Sequence, residues 1–123
     1  MTEHAIIAET DPRVLLPVNP QAAITEAFSA LERRVRQLAL MHGYPATKEA
    51  EGISAARYLN NIGAISSGTL KIWQILKNVR DQAVYLRNGV DLDSGRRYLA
   101  LVEPEQRRLK ELISQSQRPS LVN

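Results

Sequence analysis

Apolar residues recur at helical spacing through most of the chain, and this pattern predicts four helices. The first predicted helix begins at Asn19, a good N-cap, with Pro20 at the first helical position, where its missing N–H does no harm. Gly43 followed by Tyr44-Pro45 predicts the end of this helix. Its apolar residues follow a 4-3-4-3 spacing, at Ile24, Phe28, Leu31, Val35 and Leu38.

The second and third predicted helices occupy the middle of the chain. The second is predicted from about Thr47, its cap, to Asn61, with Gly63 at its end. The third follows Ser66-Ser67 and stops at Asn88-Gly89. Its apolar residues cover more than one stripe, which indicates a central position in a bundle. They are Leu70, Ile72, Trp73, Ile75, Leu76, Val79, Ala83, Val84 and Leu86.

The two ends of the chain complete the predicted architecture. A fourth helix begins near Asp91 or Asp93, and we expect it to be kinked or broken at Pro104, which lacks a backbone N–H. Residues 1–19 are expected to form an extended or partly disordered lead-in. Within it, a short strand or strap could involve Ile6, Ile7, Val14, Leu15 and Leu16. The prediction is an all-α, four- to five-helix bundle over residues 20–115, followed by a polar tail, 116–123.

Composition excludes several kinds of chemistry. The chain has no cysteine and two histidines, so we expect no disulfide, no metal site and no cofactor. No apolar run approaches the ~20 residues that span a bilayer, and no signal-peptide pattern is present, so a soluble, cytoplasmic protein is expected. The net charge of +3 favours a solvated, ion-paired surface over a dedicated DNA- or RNA-binding stripe.

Several weak motifs have better structural interpretations. The glycines of segment 63–69 have P-loop spacing, but no lysine follows, so we interpret the segment as a turn and an N-cap. Asp91 and Asp93 fit helix capping better than a cation loop. His42 fits the end of the first helix, where a cation suits the helix dipole. Trp73, on the most apolar helix, is expected in the core.

Three groups of basic residues lie on predicted helices. They are Arg33-Arg34-Arg36, Arg96-Arg97 and Arg107-Arg108-Lys110. Consecutive arginines commonly straddle the solvent side of a helix. An RNA-binding surface would require several of them to converge on one face, which the spacing alone does not show.

Two charged residues, Arg80 and Asp81, interrupt the most apolar helix. A buried arginine requires partners, so the two residues indicate either an internal ion pair or a functional site. The residues alone leave both interpretations open.

The surrounding segments resemble a known family. The run Phe28–Ala39, a short helix, a Gly-Ala-Ile-Ser turn and a long helix ending Arg80-Asp81-Gln82-Ala83-Val84-Tyr85 are similar to the HEPN superfamily. More narrowly, they resemble bacterial HEPN-like domains of unknown function with an Arg-Asn-x-Ala-Val-His signature. The resemblance covers roughly residues 20–115. It implies a helical bundle that commonly dimerises and, in many members, cleaves RNA without a metal.

The resemblance implies roles for three residues and one important departure. Arg80 matches the signature arginine, Asp81 matches its polar residue, and Tyr85 stands where the family has histidine. Histidine suits proton transfer near neutral pH, whereas an unperturbed tyrosine has a pKa of about 10. We therefore expect no competent ribonuclease of the usual kind. On one unbroken helix, Arg80 and Tyr85 would also lie about 140° apart, so either the helix breaks between them, or they act with the copies of a partner subunit, or they have no joint role.

Three functions remain open at this stage. The first is a divergent HEPN-like binding module that forms a homodimer and binds RNA or a protein partner encoded nearby. The second is an active metal-independent endoribonuclease, of toxin or defence type, that uses Arg80 and Tyr85. The third is a plain interaction domain of a larger protein, with or without a membrane attachment. Candidate residues for RNA or partner binding are Lys77, Arg80, Arg87, Arg96 and Arg97.

Overall fold

The protein is an all-helical bundle, as the sequence predicts. The structure, a computed structural model, describes residues 11–45 and 52–117. Within those ranges there are five helices and no strand. The helices are α1 (Pro12–Leu15), α2 (Pro20–Met41), α3 (Gly52–Asn61), α4 (Ser67–Val84) and α5 (Leu92–Gln117). None of them is long and apolar enough to cross a membrane.

Helix α2 begins and ends where the sequence predicts. The side chain of Asn19 accepts a hydrogen bond from the Ala22 backbone N–H at 3.0 Å, and Pro20 is the first helical residue. The helix ends at Met41, and Gly43 follows with φ of +92°, a conformation that a side chain would disfavour. The buried face contains the predicted apolar series: Ala23, Ile24, Ala27, Phe28, Leu31, Val35, Leu38 and Ala39.

The central helix is α2, and the prediction that the third helix is central is wrong. Helix α2 packs against α1, α3, α4 and α5. On α4, by contrast, Ile72, Ile75 and Val79 remain 41%, 51% and 39% exposed. The apolar surplus of α4 therefore does not reflect burial within this chain.

The N-terminal region differs from the extended lead-in that the sequence suggests. Val14 and Leu15 belong to helix α1 rather than to a strand. Asp11 caps this helix, because its Oδ1 accepts a hydrogen bond from the Arg13 N–H at 2.9 Å. Pro12 stands at the first helical position, where proline favours a helix start instead of interrupting one. Ile6 and Ile7, which the strand prediction also involved, lie outside the described residues.

Helix α5 is not broken at Pro104. The helix continues from Leu92 to Gln117, two residues beyond the predicted end of the bundle. Pro104 is exposed, and so is Ala100, whose carbonyl would otherwise accept from residue 104. The carbonyl freed by the proline is thus on the solvent side, where water can satisfy it, which removes much of the cost of an interior proline.

The short connections follow the predicted capping signals. Ser66 caps α4, its Oγ accepting from the Thr69 N–H at 3.1 Å, so the segment with P-loop spacing is a turn and a cap. Asp91 accepts from the Ser94 N–H at 2.7 Å near the start of α5. Helix α3 is described from Gly52, whose N–H donates to Glu32 at 3.0 Å. The predicted cap at Thr47 lies outside the described residues.

Two close approaches fix how α5 and α4 meet the rest of the bundle. Gly95 is buried where a Cβ would lie 2.7 Å from Cδ1 of Leu16 and 3.0 Å from Cβ of Pro20, so a larger residue would require both neighbours to shift. Trp73 is 2% exposed and donates from Nε1 to Oε1 of Glu105 at 2.9 Å. The prediction that Trp73 belongs to the core is confirmed.

Candidate functional site

The candidate signature, Arg80 to Tyr85, lies at the C-terminal end of α4, and its Arg80 and Asp81 form a charged cluster with Lys77, here called the Arg80 cluster. Nζ of Lys77 lies 2.8 Å from Oδ2 of Asp81, and Nε of Arg80 lies 2.8 Å from Oδ1 of the same carboxylate. Lys77 and Asp81 stand four residues apart on one helix face. The cluster carries one net positive charge.

Asp81 remains ionised in this setting. The hydrogen bond from Lys77, together with the nearby charge of Arg80, holds the pKa of the Asp81 carboxyl below its usual value. A carboxylate that stays charged and is shared by two cations neutralises part of their charge. The cluster therefore attracts an anionic ligand less strongly than two unpaired cations would.

Arg80 lies between the core and the solvent. Its side chain is 21% exposed, and its guanidinium carbon sits 4.8 Å from the centre of the Phe28 ring on α2. Nε is buried and, among the described residues, its N–H makes no well-directed hydrogen bond, because Asp81 is near but off line. Stacking on Phe28 is a cation–π contact that ties the end of α4 to α2.

Tyr85 does not join this cluster. Helix α4 is continuous to Val84, and Tyr85 is its C-cap, with the side chain 83% exposed. On an unbroken helix, Arg80 and Tyr85 point about 140° apart. The two side chains therefore do not lie on one face of α4.

A glutamine from α2 holds the end of α4 in place. Nε2 of Gln21 donates to the carbonyls of Ala83 at 2.6 Å and Val84 at 3.0 Å. Both carbonyls belong to the last turn of α4, and that of Ala83 also accepts from the Leu86 N–H at 3.4 Å. The contact ties the C-terminal end of α4 to α2. No local sequence signal identifies Gln21, since its partners are 62 and 63 residues away.

The remaining predicted binding residues are dispersed. Arg87 is exposed in the connection after α4. Arg97 lies on α5 with its Nη2 2.8 Å from Asp93. Arg96 lies about 160° around α5 from Tyr98, the residue that donates to the Leu76 carbonyl of α4. Arg96 is therefore on the side of α5 opposite to α4 and the Arg80 cluster.

Residues from all three basic groups noted in the sequence converge on one groove, which is separate from the Arg80–Tyr85 signature. Arg34 from α2 lines one groove together with Arg96, Arg107 and Lys110 from α5. The spacing of the three α5 residues places them on one side of the helix, and this could be predicted from the sequence. The addition of Arg34 depends on how α2 and α5 pack, which the spacing does not reveal.

The described part of the chain contains no group of three or more histidine, aspartate or glutamate side chains placed to hold a metal ion. Asp91 is engaged as a helix cap, and His42 lies 3.2 Å from the Ser116 hydroxyl at the other end of the bundle. His42, at the C-cap of α2, occupies the predicted position.

The fold defines the chain as a small all-helical domain. No family model matches the chain, and no curated protein and no solved structure matches it either.

Proposed function

We propose that the chain is a divergent HEPN-like helical binding module, which pairs with a second copy through α4 and binds RNA or a protein partner without cleaving RNA. The helix order supports this proposal, as does the position of the Arg80–Tyr85 segment at the end of the long helix α4. The observation that carries it is an apolar stripe on the surface of α4.

The α4 stripe consists of Ile72, Ile75 and Val79. Their spacing places them within about 60° of one another around the helix. Each is roughly two-fifths exposed or more. Isolated exposed apolar residues are ordinary, but aligned ones mark a contact surface. Leu86, 51% exposed beyond the end of the helix, extends the apolar surface.

A second copy of the chain fits this stripe. In a two-fold dimer the same patch serves both subunits, so a continuous apolar stripe on one helix is complementary to itself. Three residues at i, i+3 and i+7 are the spacing with which two helices form a seam. Pairing along α4 would bury the apolar surplus that the bundle leaves exposed.

Oligomeric state tests the proposal directly. We expect the wild-type chain to be a dimer at about 100 µM and Ile75→Glu to be a monomer, because a buried carboxylate at the seam is strongly unfavourable. Ile62→Glu is the matched control, since Ile62 is 46% exposed in the turn after α3, away from the stripe. Sedimentation velocity supplies the measurement. A monomeric wild type, or equal dissociation by both variants, would contradict pairing through α4.

A second prediction concerns RNA. We expect no cleavage of single-stranded RNA in EDTA by the wild-type chain, because Arg80 is engaged by Asp81 and Phe28 and Tyr85 faces away from it. Gel analysis of a labelled RNA after long incubation is the measurement. Cleavage that is abolished by both Arg80→Ala and Tyr85→Phe would establish the nuclease alternative. Retention of RNA that weakens steeply with salt would identify RNA as the ligand.

A further inference from the structure

A second surface, on the side of α2 away from the Arg80 cluster, has features that the proposed function does not use. It is a groove of about 610 Å³ between α1, α2 and α5, here called the basic groove. Ala30 on its floor lies about 160° around α2 from Phe28, on which Arg80 stacks. The basic groove and the Arg80 cluster therefore lie on opposite sides of α2.

The rim of the basic groove carries an excess of positive charge. Five cations and two carboxylates line it. Arg13 is paired with Asp11 at 3.0 Å, and Arg107 is paired with Glu103 at 3.2 Å. The other three cations, Arg34, Arg96 and Lys110, have no carboxylate within 4.0 Å among residues 11–45 and 52–117.

One of these three cations is held in place by a neutral partner. Nη1 of Arg34 donates to Oε1 of Gln106 at 3.0 Å across the α2–α5 contact. The bond orients the guanidinium without neutralising its charge. Arg34 is half-buried, whereas Arg96 and Lys110 are exposed. The rim thus has one cation positioned by a hydrogen bond and two exposed ones.

The floor of the groove is apolar, and its small side chains make the groove deep. Ala27 and Ala30 come from α2, and Ala100 comes from α5, with Leu16 and Leu99 beside them. Small residues let another helix approach the backbone closely, and burying the apolar face of that helix against the apolar floor is favourable. Arg96 and Lys110 are separated by 14 residues of helix, about 21 Å, so the groove accommodates about four turns of a helical segment.

Nucleic acid suits the basic groove less well than an acidic protein segment does. No aromatic side chain is among its lining residues, so unstacked bases would find no stacking platform. Asp11 and Glu103, each paired with an arginine, interrupt the positive rim, so discrete carboxylates placed opposite the other three cations fit it better than a continuous phosphate backbone does. An amphipathic helix, with an apolar face for the floor and carboxylates spaced along one edge, meets both the alanines and the three cations.

We propose that the basic groove is a docking site for an acidic amphipathic helix of a partner protein. The apolar face of that helix lies on the alanine floor, and its carboxylates pair with Arg34, Arg96 and Lys110. This inference is independent of pairing through α4, since none of these residues belongs to the α4 stripe.

The probe is a synthetic 16-residue amphipathic peptide with leucines on one face and glutamates along its edge, labelled with fluorescein and followed by anisotropy. The 123-residue chain should bind it, and should not bind a peptide with lysine in place of each glutamate. Arg96→Glu combined with Lys110→Glu should weaken binding about tenfold or more, since two rim pairs become repulsive. Ala100→Trp, at an exposed floor position, should also weaken binding by filling the groove.

The matched control is Arg57→Glu combined with Lys71→Glu. It changes the net charge equally at exposed positions outside the groove and should bind like wild type. Ile75→Glu should also bind the peptide normally, which separates this site from the proposed dimer. Equal weakening by both double variants, equal binding of the lysine peptide, or no binding of the glutamate peptide at about 1 mM would overturn the proposal.

Two other occupants are distinguished by the same assay. The first is a 12-nucleotide RNA. If it bound the wild type more tightly than the peptide does, displaced the peptide and lost affinity in the Arg96→Glu/Lys110→Glu variant, the groove would be a nucleic-acid site instead. The chain's own residues 1–10 precede Asp11 at the groove and include Glu3 and Glu9. If Glu3→Gln with Glu9→Gln raised peptide affinity about tenfold, the groove would belong to this segment and not to a partner.

Discussion

Replacing Trp73 by phenylalanine should destabilise the bundle by about 3 kcal/mol. Trp73 is 2% exposed, and its indole N–H is the hydrogen-bond donor to Glu105, which is itself 4% exposed. Phenylalanine removes the donor and part of the ring volume at once. The carboxylate is then left with Nε of Arg108 at 3.6 Å as its remaining cationic neighbour among the described residues. A buried charge that loses a hydrogen bond costs more than the bond contributed, which makes this one of the most sensitive sites in the core.

A double-mutant cycle separates the lost bond from the lost volume. Glu105→Gln keeps an acceptor for the indole and should cost less than Trp73→Phe. Trp73→Phe combined with Glu105→Leu removes both polar partners, so the double variant should be more stable than Trp73→Phe alone. Chemical denaturation at neutral pH measures each variant, with Glu105→Leu alone to complete the cycle. If the costs of Trp73→Phe and Glu105→Leu simply add in the double variant, the Trp73–Glu105 bond is not what makes the site sensitive.

The parts of the fold that follow local rules could be predicted from the sequence. Helix α2 is the clearest example, because Asn19 caps it, Pro20 starts it, and Gly43 adopts the positive φ that ends it. Each of these signals acts within a few residues. Ser66 and Asp91 are caps for the same reason. Local signals of this kind do not depend on how the helices pack.

Other features depend on contacts between distant residues, and there the sequence is insufficient. The apolar pattern of α4 is the same whether its surplus faces the core or a partner, so it does not reveal that α2 is the central helix. The cost of Pro104 inside α5 depends on whether the Ala100 carbonyl, which loses its hydrogen-bond donor, faces water. Helix α1 could have been predicted by interpreting Asp11-Pro12 as a cap and a first helical residue, a signal identical to Asn19-Pro20.

The candidate site also combines a contact that local spacing predicts with one that depends on how the helices pack. Lys77 and Asp81 are four residues apart, so their ion pair is implicit in the spacing. The position of Arg80 above Phe28 joins residues 52 positions apart and decides that this arginine is half-buried and partnered. This contact limits what Arg80 can do for a phosphate. A polar pair inside an apolar helix therefore has a meaning that only tertiary packing determines.

Tyr98 gives the bundle a built-in sensitivity to alkaline pH. The ring is 3% exposed, and its hydroxyl donates to the Leu76 carbonyl at 2.8 Å, which links α5 to α4. Burial raises the pKa of Tyr98 well above its ordinary value, because an ionised phenolate would be desolvated there. Arg80 opposes the rise in pKa and Asp81 adds to it, but burial dominates.

The expected result is a loss of stability above about pH 10 that is smaller in Tyr98→Phe than in the wild type. A raised pKa in the folded state means that the stabilisation is complete below the unfolded pKa, about 10, and is lost as pH rises from there towards the folded pKa. In that window the unfolded chain releases the Tyr98 proton and the folded chain keeps it. The free energy of unfolding should therefore fall by about 1.4 kcal/mol per pH unit from this residue alone.

Tyr98→Phe should be less stable than wild type by about 1 kcal/mol at pH 8, because it lacks the hydrogen bond to Leu76. Since the variant has no Tyr98 proton to lose, its stability should fall less steeply, and the two curves should cross between about pH 10 and pH 12. Tyr85→Phe, at a position 83% exposed, is the control and should follow wild type throughout. Urea denaturation at a series of pH values measures the difference. Parallel curves for wild type and Tyr98→Phe would mean that the phenol is as accessible to ionisation in the folded chain as in the unfolded one, and that the α4–α5 contact opens before the bundle unfolds.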